Sequence, residues 1–382
     1  MNLAAPRMVL AACSAMTFLA AAPAAGQSDI LLRLRSGSPA GDRVRVDSAG
    51  GFVAMGSLGI GIIPASGAGS RMMWHPFKNA FRAGYADVGG QMDDANIGFY
   101  SWAGGALSTA SGNYAFAMGN QNLAEAQCAV AIGSGNDVFG NASDGFGTCG
   151  VALGLNNTVK DQAGVALGQN AWSDGDAAVA IGYRSTADAD YSMAFGYRAS
   201  TNGRTGAKVF GDASTTDSIE AAANNEFAVR AAGGFRFRTN ATLTTGCNLP
   251  AGSGVFTCAS SRTLKDHFGE VDGEEVLRQV SGVPVSTWSY IAEGPAVRHI
   301  GPFAEDFHRA FGVGTDDRSI GLLDISGVNF AAVQALERRT AEQAERIRSL
   351  EAEHAARIRT LEAELDELRK AVRLLSAERT QR

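Results

Sequence analysis

Few residues in this chain have types and spacings that could do chemistry. Five cysteines occur; Cys13 lies in an apolar N-terminal segment, and Cys128, Cys149, Cys247 and Cys258 remain. An even number of thiols in an exported chain favours disulfides over free thiols. Cys247 and Cys258 bracket Pro250-Ala251-Gly252 and Ser253-Gly254, which are turn formers, so a disulfide closing a hairpin is expected there. The pair is too widely spaced for a Cys-x-x-Cys redox or zinc motif. His75, His267, His308 and His354 form no ligand spacing, so no metal site and no cofactor is expected. Neither a paired-carboxylate motif nor a nucleophile elbow occurs to support an extracellular hydrolase.

The elements that would carry these residues begin with a repeat. Ala-apolar-Gly recurs at Ala117-Met118-Gly119, Ala131-Ile132-Gly133, Ala152-Leu153-Gly154, Ala166-Leu167-Gly168, Ala180-Ile181-Gly182 and Ala194-Phe195-Gly196. The glycines stand 14, 21, 14, 14 and 14 residues apart, and Gly105 opens the series as a degenerate first copy. A fixed period held this long is the signature of a solenoid. Within each copy Phe116/Met118, Val130/Ile132, Val151/Leu153, Val165/Leu167, Val179/Ile181 and Met193/Phe195 share one strand face, with Ala on the other. The expectation is that each coil buries its bulky pair, leaving the Ala face for a neighbouring chain. The Gly is expected to turn the chain with positive φ. Cys128 and Cys149 each precede their marker Gly by five residues. Stacked strands lie ~4.8 Å apart, so a disulfide between successive coils is expected there too. The 21-residue step implies a seven-residue insertion within Ser134–Thr148.

Composition bounds the rest. Gly accounts for 47 of 382 residues, about one in eight, against a typical ~7%. Net charge is −6 with no dense Lys/Arg cluster, which argues against nucleic acid as a ligand. Arg7, the apolar Met8–Ala22 and the small residues Ala22-Pro23-Ala24-Ala25-Gly26 read as an export signal. No other segment has the ~18 uncharged apolar residues of a membrane span. The mature protein is expected outside the bacterial cytoplasm, extracellular or at the cell surface, with the periplasm as the alternative. Residues 27–98 read as an N-terminal β-rich cap or hairpin, and Asn225–Phe237 alternates like a hairpin after the repeat ends near Gly211.

Two segments resemble known families. The repeat, taken as 99–211, resembles the left-handed parallel β-roll head of trimeric autotransporter adhesins. That resemblance implies a three-chain fibre. Further on stand Ala259-Ser260-Ser261-Arg262-Thr263-Leu264-Lys265, then Pro284-Val285-Ser286-Thr287-Trp288-Ser289-Tyr290, then Arg298-His299-Ile300-Gly301-Pro302-Phe303-Ala304-Glu305-Asp306-Phe307. This order, over 259–338, resembles the intramolecular chaperone domain of endosialidases and phage tail spikes. The resemblance implies trimerisation driven by the domain and, in many members, cleavage just before a Ser that forms a dyad with a Lys five residues on. Carried onto this sequence, Ser260 attacks the carbonyl of Ala259, Lys265 is the base, and His299 orients the site or assists proton transfer. The family's usual Asp after the nucleophile is Ser261 here. A serine is a poor nucleophile until a base takes its proton. A lysine can serve when burial and neighbouring cations disfavour its charged form.

From Ala331 to Arg382 there is no Gly or Pro, and apolar residues recur at three- and four-residue steps. The stretch Arg346–Glu353 recurs eleven residues later as Arg357–Glu364, which inserts a stutter into the heptads. A coiled coil over 339–382 is expected. The whole reads as mainly β with C-terminal α. A signal (1–26), N-terminal region (27–98), trimeric β-roll (99–211), disulfide-bearing connector (212–258), α+β chaperone domain (259–338) and coiled coil follow in order. The expected protein is an exported, adhesin-like or tail-fibre-like homotrimer able to cut itself once. Surface glycans or host-cell ligands are its candidate partners. An extracellular hydrolase or glycan-binding protein carried on a β-roll, and a prophage tail fibre, are the alternatives.

Overall fold

A computed structural model describes residues 30–37, 40–139 and 149–380. The expected export signal and most of the expected insertion lie outside the described residues. The chain divides into two units at the Ala259–Ser260 bond.

The first unit opens with an antiparallel meander of Ile30–Gly37, Ala40–Asp47 and Phe52–Ala54. A hairpin of Gly69–His75 and Ala80–Ala86 follows, and its second strand pairs in parallel with Trp102–Ala106. From there each coil contributes one five-residue and one two-residue strand, building two parallel sheets. The ladder puts equivalent residues of successive copies side by side: Ala117 on Ala131, Ala131 on Ala152, Ala152 on Ala166, with the marker glycines in the same register. Asp137–Val138 pairs with Leu123–Ala124 on one side and Thr158–Val159 on the other, which confines the insertion to the chain after Val138. The marker glycines have φ near +96° to +124°, as expected. They sit inside the strands rather than after them. A Cβ on Gly154 would lie 2.0 Å from the carbonyl oxygen of Gly168 on the next coil, so stacking as well as conformation demands Gly.

The facing of the strands reverses the sequence expectation. Ala103, Ala117, Ala131, Ala152, Ala166, Ala180 and Ala194 are fully buried inside the roll. The bulky residues Phe116 and Met118, Val151 and Leu153, Val165 and Leu167 point outward and are only partly covered. The coil is narrow, so its two sheets leave room for a methyl group and little more. Where a larger residue does enter, its neighbours shrink: Val138 and Val159 are buried, and a Cβ on Gly150 would stand 2.8 Å from a methyl of each. Size complementarity across the interior, rather than hydrophobic bulk, sets this core.

A buried polar row that the sequence reading did not single out runs beside the alanines. Asn122, Asn136 and Asn157 each stand three residues after a marker Gly and are almost fully buried. The Asn136 amide donates to Asn122 Oδ1 (2.9 Å), Ile132 O (2.9 Å) and Gly154 O (2.8 Å). Its Oδ1 accepts from both the backbone and the side-chain nitrogen of Asn157. The side chains thus satisfy carbonyls and each other from coil to coil.

At the N-terminal end Arg82 occupies the row that Ala103 and Ala117 continue, and it is fully buried. Its guanidinium donates to Phe81 O, Ser101 O, Ser101 Oγ and Ala110 O, closing the open end of the roll. Burial pulls its pKa down to about 10. At the other end the roll outlasts the visible repeat. Phe227–Val229 pairs in parallel with Lys208–Gly211, and Ile219–Glu220 extends the second sheet. The hairpin expected over Asn225–Phe237 is therefore split. Phe227–Val229 belongs to the roll, and Gly234–Arg238 pairs antiparallel with Gly246–Pro250.

The second unit has three helices, α1 (Gly273–Gly282), α2 (Ala304–Phe311) and α3 (Leu322–Thr380), and a two-stranded ladder of Ser286–Trp288 with His299–Gly301. Asp272 caps α1 by accepting from the amides of Glu274 and Glu275. Buried Gly273 lets α1 approach Ala335 of α3, and Glu274 pairs with Arg339. Helix α3 starts nine residues before the Gly- and Pro-free stretch and runs 59 residues. Beyond Arg339 no other described residues cover it, and Ile347, Leu350, Ile358 and Leu361 are exposed.

Candidate self-cleavage site

The first residue of the second unit is Ser260. A 3-10 turn, Arg262–Leu264, reverses the chain just after it. Ser261 caps that turn, its hydroxyl oxygen accepting from Thr263 N at 3.3 Å and contacting Thr263 Oγ1 at 2.9 Å. Lys265 follows in extended conformation, its amide bonded to Arg262 O at 3.2 Å. Its side chain thereby folds back, and Nζ donates to Ser260 Oγ at 2.7 Å. Of the two adjacent serines, Ser260 faces the lysine while Ser261 is spent on the turn. Both members of the pair are exposed, and so are the apolar residues around the turn, Leu264, Phe268 and Val271. Ala259, on the other side of the bond, closes the first unit with its amide bonded to Gly246 O at 2.9 Å.

His299 is not brought into hydrogen-bond contact with either Ser260 or Lys265 among the described residues. Its Nε2 meets Glu293 Oε2 at 2.9 Å, and its ring lies 4.7 Å from Trp288 and 5.6 Å from Tyr290. These contacts follow from the ladder, which sets His299 opposite Trp288. His308 contacts Val313 O, and the backbone of His267 bonds Asp266. His75 is buried against Asp94 at 2.7 Å. No group of three or more His, Cys, Asp or Glu able to hold a metal occurs within the chain among the described residues.

Cys247 and Cys258 face each other on neighbouring antiparallel strands and are disulfide-bonded. Cys128 and Cys149 differ from the expectation: both are free thiols. Each stands two residues before a paired strand start, Val130 and Val151, so the register alignment exists without the bond. The Cys149 thiol is hydrogen-bonded to Cys128, which, with partial burial and the neighbouring sulfur's charge, raises its pKa.

Among the described residues no helix is long and apolar enough to cross a membrane. Residues 110–136 and 173–199 match the YadA head domain repeat. Residues 260–313 match the chaperone of endosialidase, described also as a peptidase family; the match begins on the serine that opens the second unit. Neither a curated protein nor a solved structure matches the chain. The chain therefore carries two copies of the YadA head repeat in its solenoid and an endosialidase-type chaperone domain behind it.

Proposed function

We propose that three copies of this chain pack their outward apolar stripes together into an adhesin-like or tail-fibre-like shaft, assembled by the C-terminal unit as an intramolecular chaperone. The observation that carries this reading is the inverted roll: alanine fills the coils, while six pairs of large apolar side chains stand outside. Covering what remains exposed of such a partly buried side chain contributes up to about 1 kcal/mol, so the stripe offers up to about 10 kcal/mol. That is enough to offset much of the ~4–15 kcal/mol cost of association. The exposed seam of α3 extends the same logic as a coiled coil. The head repeats and chaperone domain support an extracellular or surface location, with homotrimerisation as the partner relation and surface glycans or host ligands as what the fibre meets.

The chaperone unit is proposed to cut once, between Ala259 and Ser260. Ser260 Oγ, losing its proton to Lys265, attacks the Ala259 carbonyl carbon. The C–N bond breaks as the Ser260 nitrogen takes a proton, leaving an ester that water hydrolyses. Lysine must be neutral to act, and in the single chain the Lys265 side chain is exposed to water. Burial by a second copy, over Leu264, Phe268 and Val271, is the step that would switch it on. One experiment tests both parts: intact mass and sedimentation of the wild type beside Ser260→Ala. The expected result is two fragments from the wild type and a full-length trimer from the variant. Wild type that stays full-length sinks self-cleavage, and a monomeric variant sinks the assembly.

A further inference from the structure

Helix α3 places one titratable side chain in its own apolar seam. Counting along the exposed stripe gives Val333, Leu336, Thr340, Gln343, Ile347, Leu350, His354, Ile358, Leu361, Leu365, Leu368, Val372 and Leu375. The steps alternate three and four except at one place, where Leu350 to His354 and His354 to Ile358 are both four. His354 is thus the residue on which the stutter turns, at the join between the two copies of the eleven-residue repeat. Of the other polar seam residues, Thr340 satisfies its hydroxyl on Leu336 O of its own helix (2.8 Å), and Gln343 carries a neutral amide. No other seam position carries a group that titrates.

We propose that His354 forms a three-imidazole layer in the assembled stalk, and that this layer makes the stalk weaken on acidification. The proposal rests on the coiled-coil reading given above. Knobs-into-holes packing puts equivalent seam residues of parallel chains against one another. Three copies of His354 would then meet between a Leu350 layer and an Ile358 layer. Neutral imidazoles can hydrogen-bond one another in such a layer. Three imidazolium ions there would lose water, repel each other and find no counter-charge inside the seam. The charged groups flanking the layer on every helix are Glu351, Glu353 and Arg357. Glu353 and Arg357 stand at i,i+4 spacing, where opposite charges attract weakly, and Glu351 lies outside the seam. Among the described residues no other element covers this part of α3, so these are the groups a partner helix also presents. The separated chains bind more protons than the assembled layer, so assembly strengthens as pH rises and weakens as it falls.

The test uses the full chain carrying Ser260→Ala, so that the helix stays attached whether or not cleavage occurs. Trimer mass and the melting of helical circular dichroism are measured at about pH 8 and about pH 5, either side of the ordinary histidine range and above that of most carboxylates. The expected result is a trimer at the higher pH whose helix melts several degrees lower at the lower pH. In His354→Leu and in His354→Asn that acid shift is lost, since neither residue titrates. A trimer in which both variants keep the full acid shift overturns the histidine layer and leaves the coiled coil standing. A chain that is monomeric at both pH values removes the seam itself, and the proposal with it.

Discussion

Ser260 and Lys265 show how much a single spacing can carry. Five residues apart, they were readable as a pair from the sequence through a family resemblance; the turn that joins them explains why five works. Ser261 must cap the turn at Arg262–Leu264 so that Lys265 can swing back to Ser260. The Asn row is the opposite case. Asn122, Asn136 and Asn157 recur three residues after a marker Gly, so their period was visible. Nothing in their polarity announced burial, because an amide is accepted inside only when every neighbour is a partner. Asn136→Ala should therefore destabilise the roll by about 3 kcal/mol, since Gly154 O, Ile132 O and the Asn157 amide groups lose their partner together. The urea midpoint of the full chain reads this; a shift under about 1 kcal/mol would mean water replaces the amide. Arg82 was likewise invisible, since an arginine inside a hairpin strand gives no sign that it will plug an alanine-lined coil.

At the scale of the element, period was legible and facing was not. Alternation fixes which residues share a side of a strand, but assigning a side to the interior requires knowing how wide the interior is. A wide sandwich takes the bulky set inward; a coil of fourteen residues closes too tightly and takes Ala117, Ala131 and Ala152 instead. The consequence is testable. Leu153→Arg combined with Ile181→Arg leaves Ala152 and Ala180 untouched, so each coil should still form and the strand signal in circular dichroism should persist. Sedimentation of the roll separated from α3 at the Ala259–Ser260 bond should then show a monomer in place of the proposed trimer. A double variant that remains trimeric would remove the stripe as the interface. The roll's C-terminal limit was missed for a related reason. Phe227–Val229 pairs where a coil should, but Ala228-Val229-Arg230 lacks the marker Gly and the spacing from Val209 to Ala228 departs from fourteen.

At the scale of the molecule, order along the chain is itself informative. The division at Ala259–Ser260 separates a unit whose apolar side chains face outward from one that resembles an assembly aid. A strand stack with an uncovered stripe is prone to wrong pairing until its partners arrive. Deleting residues 260–382 is accordingly expected to reduce the yield of soluble trimeric roll strongly, as read by sedimentation of the soluble fraction. Unchanged yield and trimer state would show that the roll needs no helper. The long helix α3 was readable because an apolar seam repeats locally. How many chains share it was not, because the seam spacing is the same in dimers and trimers.

The alanine interior has one more consequence, for length. Because most coils present small side chains to the coils above and below, duplicating an alanine-lined coil away from Val138, Val159 and the asparagine row disturbs few contacts. The markers from Gly105 to Gly196 define six steps, about 29 Å at one strand spacing each. The fourteen-residue period thus works as a ruler, and the length of the roll could be reset by duplicating an alanine-lined coil with little repacking.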